Sequence, residues 1–181
     1  GSRSPARTRS FSALASPTGS VGGNGTEPLS ATGAGVHDGL DLEARREMLA
    51  AALNAGLAAQ KGVGGVHALS RAIEAEPQVD FPHGLLHAAL LPPVLAFNRP
   101  ATGDRAEQLR HALDLGPRAD VSEAMADLGV RLGLPARLRG VPLDADAVAR
   151  IAVRAAEDPA HRTTPRHATT ADIRSLLEAA L

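Results

Sequence analysis

The chain has 181 residues, with 19 Lys and Arg against 20 Asp and Glu, no cysteine, and three Phe with no Trp or Tyr. Its length suffices for one domain with a sizeable core, and its near-zero charge gives no field that argues for nucleic acid or an anionic membrane surface as partner. Without cysteine there are no disulfides, thiol nucleophiles or Cys-ligated zinc, so any metal must sit on His, Asp or Glu, and a reducing cytoplasm is the default setting.

Ala- and Leu-rich usage favours helices packed through small side chains over a β-sandwich. The expectation is an all-α bundle of about seven helices with short connections, behind a disordered N-terminal tail. Residues 1–37 read as that tail or linker, being Gly, Ser, Thr, Ala, Pro and Arg with little to bury. Gly22-Gly23-Asn24-Gly25 has no strand before it and no Lys or helix after it, so it reads as loop and not as a phosphate cradle. Arg3, Arg7 and Arg9, with Glu27 as the only acid before residue 37, have the look of a transit peptide. The missing initiator Met equally fits an incomplete N-terminus.

Order is expected from near Asp41, whose carboxylate can cap a helix over Leu42 to Gln60. Glu43 adds negative charge at the positive end of the dipole, and Leu42, Leu49, Leu53 and Leu57 recur near the helical period. Lys61-Gly62 stops this helix, and Gly64-Gly65 permit a tight turn or the close approach of a neighbour. A second helix covers Val66 to Ala75 and ends at Pro77. A third starts around Pro82, which puts His83 in a first turn. Pro92 and Pro93 remove two backbone donors, so this helix should kink or restart before Val94. Its apolar run, Gly84 to Phe97, contains His87. It is shorter than the roughly 20 residues of a bilayer span and reads as core, with no membrane partner. Four more helices follow from start and stop signals: Asp104 to Leu113, Val121 to Leu132 behind Asp120, Ala145 to Glu157 behind Asp144, and Thr170 to Leu181 behind Thr169 with Asp172.

His67 and His83 lie 16 positions apart, one after a Gly-rich turn and one opening a helix, so two packed helices can aim both imidazoles at one point. Neutral imidazole is a good ligand for Fe(II) or Zn(II), and its second nitrogen can be oriented by a carbonyl or carboxylate. Taken as residues alone, a partly buried His satisfied by a local hydrogen bond is the commoner case. His83 and His87 stand at i and i+4, a competent two-point clamp whose spacing is common by chance. His37-Asp38 reads as loop before a helix, while His111, His161 and His167 read as exposed polar residues. Arg105, Arg110, Arg118, Arg131, Arg137 and Arg139 are interspersed with acids and read as a solvated face.

The run Lys61-Gly62-Val63-Gly64-Gly65-Val66-His67-Ala68-Leu69, followed by Phe81-Pro82-His83-Gly84-Leu85-Leu86-His87-Ala88, resembles the C-terminal helical domain of the iron-containing alcohol dehydrogenases. That family includes the maleylacetate reductases and 4-hydroxybutyrate dehydrogenases. Further landmarks appear in the expected order: Asp41-Leu42-Glu43-Ala44-Arg45, Leu91 to Asn98, Leu132 to Leu138, and Thr164-Pro165-Arg166 with Thr169 to Ile173. The resemblance covers residues 38–181 and implies a helical metal-binding domain with His67 and His83 as metal ligands. It implies Fe(II) or Zn(II), a small-molecule alcohol or carbonyl substrate, and NAD(P) only where a nucleotide-binding domain is supplied. In complete members that domain brings a Gly-Gly-Gly-Ser loop, and an Asp-x-x-x-His helix brings two more ligands. Neither motif stands in the sequence given, so the chain alone is expected to be inactive. Two positions depart from the pattern. Arg71 stands where a third His often lines the cleft, and His87 stands where Asn is usual, either as a replacement ligand or as a tolerated polar residue. The competing expectation is a noncatalytic helical interaction domain that keeps the fold without the chemistry. An apolar wall facing the cleft should also promote self-association, giving a homo-oligomer.

Overall fold

The computed structural model describes residues 30–181. Among these there are eight α-helices and no strand: α1 Ser30–His37, α2 Leu42–Ala59, α3 Gly64–Glu74, α4 His83–Asn98, α5 Arg105–Ala112, α6 Val121–Arg131, α7 Ala145–Glu157 and α8 Thr170–Ala180. Short 3-10 turns at Arg99–Ala101 and Pro159–Thr163 complete the set. The all-α expectation holds, with one helix more than anticipated. That helix, α1, falls inside the stretch read as tail, and the rest of the tail, residues 1–29, lies outside the described residues. Ser-Ala-Thr-Gly-Ala-Gly-Val-His carries one large apolar residue, so no periodic stripe announces it. What it has instead is a partner, since α1 packs on α2 and Ala44 is buried there.

The start signals act as expected in four places. Asp41 accepts a hydrogen bond from the Ala44 amide at 3.0 Å, and Asp144 accepts one from the Ala147 amide at 2.7 Å. Asp120 accepts from the Ser122 and Glu123 amides, and Thr169 with Asp172 forms a reciprocal capping box. Asp104 makes no such bond at the start of α5, although the helix forms beside it.

The core lies between α3, α4, α7 and α8, where Leu69, Ile73, Leu86, Leu90, Ile151 and Leu177 are fully buried. On α7 the stripe is Val148, Ile151, Ala152 and Ala155, at i, i+3, i+4 and i+7. Alanines at 68, 72, 89, 152 and 155 are buried as well, and their small size lets the helix axes approach. Each fully buried Leu or Ile contributes roughly 1.5–3 kcal/mol of transfer free energy. Such packing carries α4 through Pro92-Pro93 as one unbroken helix, without the restart expected from sequence. With α3, α6 and α8 all packed against it, the segment has no room to break away.

Candidate metal centre

The turn between α2 and α3 sets the position of His67. Gly62 has φ +124, and a Cβ there would lie 2.4 Å from Thr163 Cγ2, so both its backbone conformation and its surroundings demand glycine. Two residues on, the Gly64 amide donates to Thr163 Oγ1 at 3.2 Å, which ties the entry of α3 to the 3-10 turn before α8. His67 then falls in the first turn of α3. Across from it Pro82 starts α4, so His83 is its first helical residue and His87 lies one turn further on the same face.

These elements bring His67, His83 and His87 together, with one ligand nitrogen from each within 4.8 Å of the others. The ring centroids are 5.7 Å apart for His67 and His83, 4.2 Å for His67 and His87, and 4.1 Å for His83 and His87. His67 and His87 are half-buried and His83 is exposed. Two of the rings have a side-chain partner for one nitrogen. His83 Nδ1 is 2.6 Å from Glu74 Oε1, and His87 Nε2 is 3.0 Å from Ser70 Oγ. Imidazoles with one nitrogen engaged this way have restricted ring orientations, as metal-ligating histidines do.

Electrostatics favour the neutral form of His67 and His87. Burial pushes the His87 imidazole down to about 4, assisted by His67 and His83, and burial likewise lowers His67, with His83 and Arg71 adding to the effect. At neutral pH both rings therefore carry free lone pairs. Arg71, a cation one turn beyond His67, turns its guanidinium to Asp158 Oδ1 at 2.6 Å, so a carboxylate offsets its charge.

Ser70, Glu74, Asp158 and Thr163 escaped the sequence reading. Ser70 and Glu74 had a signal, because with His67 they stand at i, i+3 and i+7 and share one face of α3. Asp158 and Thr163 had none, since they reach the site from far along the chain. His161 is a correction. Read as exposed, it is buried, with Nε2 3.1 Å from the Ala168 carbonyl oxygen and 3.3 Å from the Ala168 amide nitrogen. Its ring holds the loop before α8 in place, which a Thr/Pro/Arg-rich context does not reveal. His111 and His167 are exposed as expected, and His37 ends α1. Of the six arginines read as a solvated face, five are exposed, and Arg110 is half-buried beside a 200 Å³ hollow that Arg118 and Asp120 also line. No described helix is long and apolar enough to cross a membrane.

Residues 30–181 match the family model described as Fe-containing alcohol dehydrogenase family, C-terminal. The chain belongs to that family. It is similar to the 4-hydroxybutyrate dehydrogenase of Cupriavidus necator, 37% identical over 150 residues that cover 79% of this chain and 39% of that protein. It is also similar to the probable alcohol dehydrogenase EutG of Escherichia coli (strain K12), 35% identical over 145 residues covering 78% and 36%. Among solved structures it is similar to a 1,3-propanediol oxidoreductase, with a TM-score of 0.77 at 25% identity, covering 85% of this chain and 43% of that one. The alcohol dehydrogenase from Oenococcus oeni gives a TM-score of 0.75 at 28% identity, covering 84% and 42%. The chain thus spans less than half the length of these relatives.

Proposed function

We propose that residues 38–181 furnish the metal-binding half of an iron-type, NAD(P)-dependent alcohol dehydrogenase, with His67 and His83 as metal ligands. The observation that carries this reading is the convergence of the two imidazoles from separate helices, their ligand nitrogens within 4.8 Å. Tetrahedral ligands about 2.0–2.1 Å from an ion stand roughly 3.4 Å apart. Small side-chain movements close the remaining gap. The donor set suits the cation, being imidazoles of which His83 is held by Glu74 and the neighbouring His87 by Ser70.

When bound, Fe(II) or Zn(II) polarises an alcohol or carbonyl oxygen, and NAD(P) exchanges hydride with its carbon. The part of this chain is to hold and orient. His67 and His83 would hold the cation at the starts of α3 and α4, with Glu74 keeping the His83 ring turned and Asp158 drawing the Arg71 charge aside. Hydride transfer requires a nucleotide-binding fold joined to this one. The substrate class is a primary alcohol or hydroxy acid, in keeping with the similarity to 4-hydroxybutyrate dehydrogenase.

The test has two arms. The 181-residue chain should bind one Fe(II) or Zn(II) by equilibrium dialysis, and His67→Ala or His83→Ala should abolish that binding. Joined to a family nucleotide-binding domain, the chain should oxidise 4-hydroxybutyrate with NAD(P), whereas alone it should not. Absence of metal binding by the folded chain sinks the reading and favours a noncatalytic domain.

A further inference from the structure

We propose that His87 is a third metal ligand, closing with His67 and His83 a three-imidazole centre that holds a divalent zinc-like cation within this chain. The inference rests on the reading just given and adds to it. Its first support is position. The His87 ring lies 4.2 Å from His67 and 4.1 Å from His83, closer to each than they are to one another. A cation shared by the outer two rings would stand beside the third, which offers a ligand nitrogen within 4.8 Å of theirs.

The second support is the direction of hydrogen bonds. Ser70 Oγ stands 3.2 Å from the His67 carbonyl oxygen, to which it can donate, and 3.0 Å from His87 Nε2. With its proton on that carbonyl, Ser70 accepts from His87 Nε2–H, the tautomer that would leave the Nδ1 lone pair for a cation. At His83 the roles are reversed: Nδ1 faces Glu74 Oε1 at 2.6 Å, and Nε2 is left for the ion. Ser70, buried where the two helices meet, is thus placed to select the tautomer of one ligand while within bonding distance of the backbone of another.

Chemistry gives the third support. Three imidazoles with no carboxylate ligand among them form a donor set suited to Zn(II) or another borderline divalent ion, and they leave a coordination position open. Two imidazoles alone would leave the cation mostly hydrated. With three, the ion can stay bound to α3 and α4 without ligands from elsewhere, and an oxygen of water or substrate can take the open position.

The experiment measures Zn(II) affinity of the full 181-residue chain by chelator competition, alongside the visible spectrum of the Co(II)-loaded chain. His87→Asn should weaken Zn(II) binding more than the roughly 10–100-fold typical of an outer-shell change, whereas Ser70→Ala should stay within that range. Both should leave the far-UV circular dichroism of the metal-free chain unchanged. If His87→Asn fails to fold, X-ray absorption of the Zn(II)-loaded parent chain decides by counting imidazoles, with three expected. Wild-type affinity in His87→Asn, or a count of two, overturns the third ligand. If His67→Ala and His83→Ala then still lose the metal, the proposed function survives. If those variants also bind as the parent does, both readings fall together.

Discussion

Gly62 is the residue on which the seat of His67 depends most directly. Gly62→Ala places a methyl group against Thr163 and forces an L side chain into φ +124. The expected cost is roughly 1–3 kcal/mol, read as a lower thermal midpoint together with weaker metal binding. Adding Thr163→Gly should relieve the collision but not the backbone strain, so recovery should be partial. Asp120 offers a cleaner electrostatic test. Hydrogen bonds from Ser122, then Arg99, bring its carboxyl down to about 2, below the usual carboxylate range. A depressed folded value means that its stabilisation is complete above the unfolded value and disappears as pH falls through the folded one. Asp120→Ala should therefore cost about 1 kcal/mol at neutral pH, as loss of a helix cap does. In melts run between pH 4 and 2 the gap between the two proteins should close, and a gap unchanged at pH 2 would count against the assignment.

At the scale of elements, α3 is fastened at both ends. Its entry is clasped by Thr163, and beyond its last turn the buried Glu76 accepts from Arg150 at 2.6 Å and from Arg154 at 3.2 Å, both on α7. Arg154 also donates to the Ala72 carbonyl at 3.0 Å. Glu76→Ala removes the acceptor of two charged hydrogen bonds, and chemical denaturation should register a loss of about 1.5–3 kcal/mol. Most of this layout was legible in the sequence, because caps and stripes are local. Asp41, Asp120, Asp144 and Thr169 each precede an apolar period, and each caps the helix it was read to start. Glycine and proline spacing likewise put His67 and His83 at helix beginnings, and the fold brings them together. What stayed hidden were pairings made across the fold. Arg71 with Asp158, Gly62 with Thr163 and His161 with Ala168 depend on where the 159–168 segment docks, which no local pattern encodes.

At the scale of the whole molecule, the described residues leave one long surface without cover from one another. Among the described residues α2 packs on α1, and Leu42, Leu49, Leu53 and Leu57 remain 80%, 71%, 67% and 57% exposed. The self-association expected from a cleft wall is thus better placed on this helix, where a continuous apolar stripe faces water. Sedimentation velocity should show association growing with concentration, and Leu49→Glu with Leu53→Glu should return the chain to monomer. A clean monomer at high concentration before any substitution would argue against it. Metal should also stabilise the molecule globally, by about 2.7 kcal/mol when free ion stands at 100 times its dissociation constant.

The bond from the Gly64 amide to Thr163 spans 99 positions of chain. It carries an implication for the order of events during synthesis. Both histidine-bearing helices leave the ribosome well before the segment that locks the first of them arrives, so a nascent polypeptide halted short of Pro159 should display all three rings yet fail to capture an ion. On the proposed function, ion capture would mark the completion of folding and not its beginning.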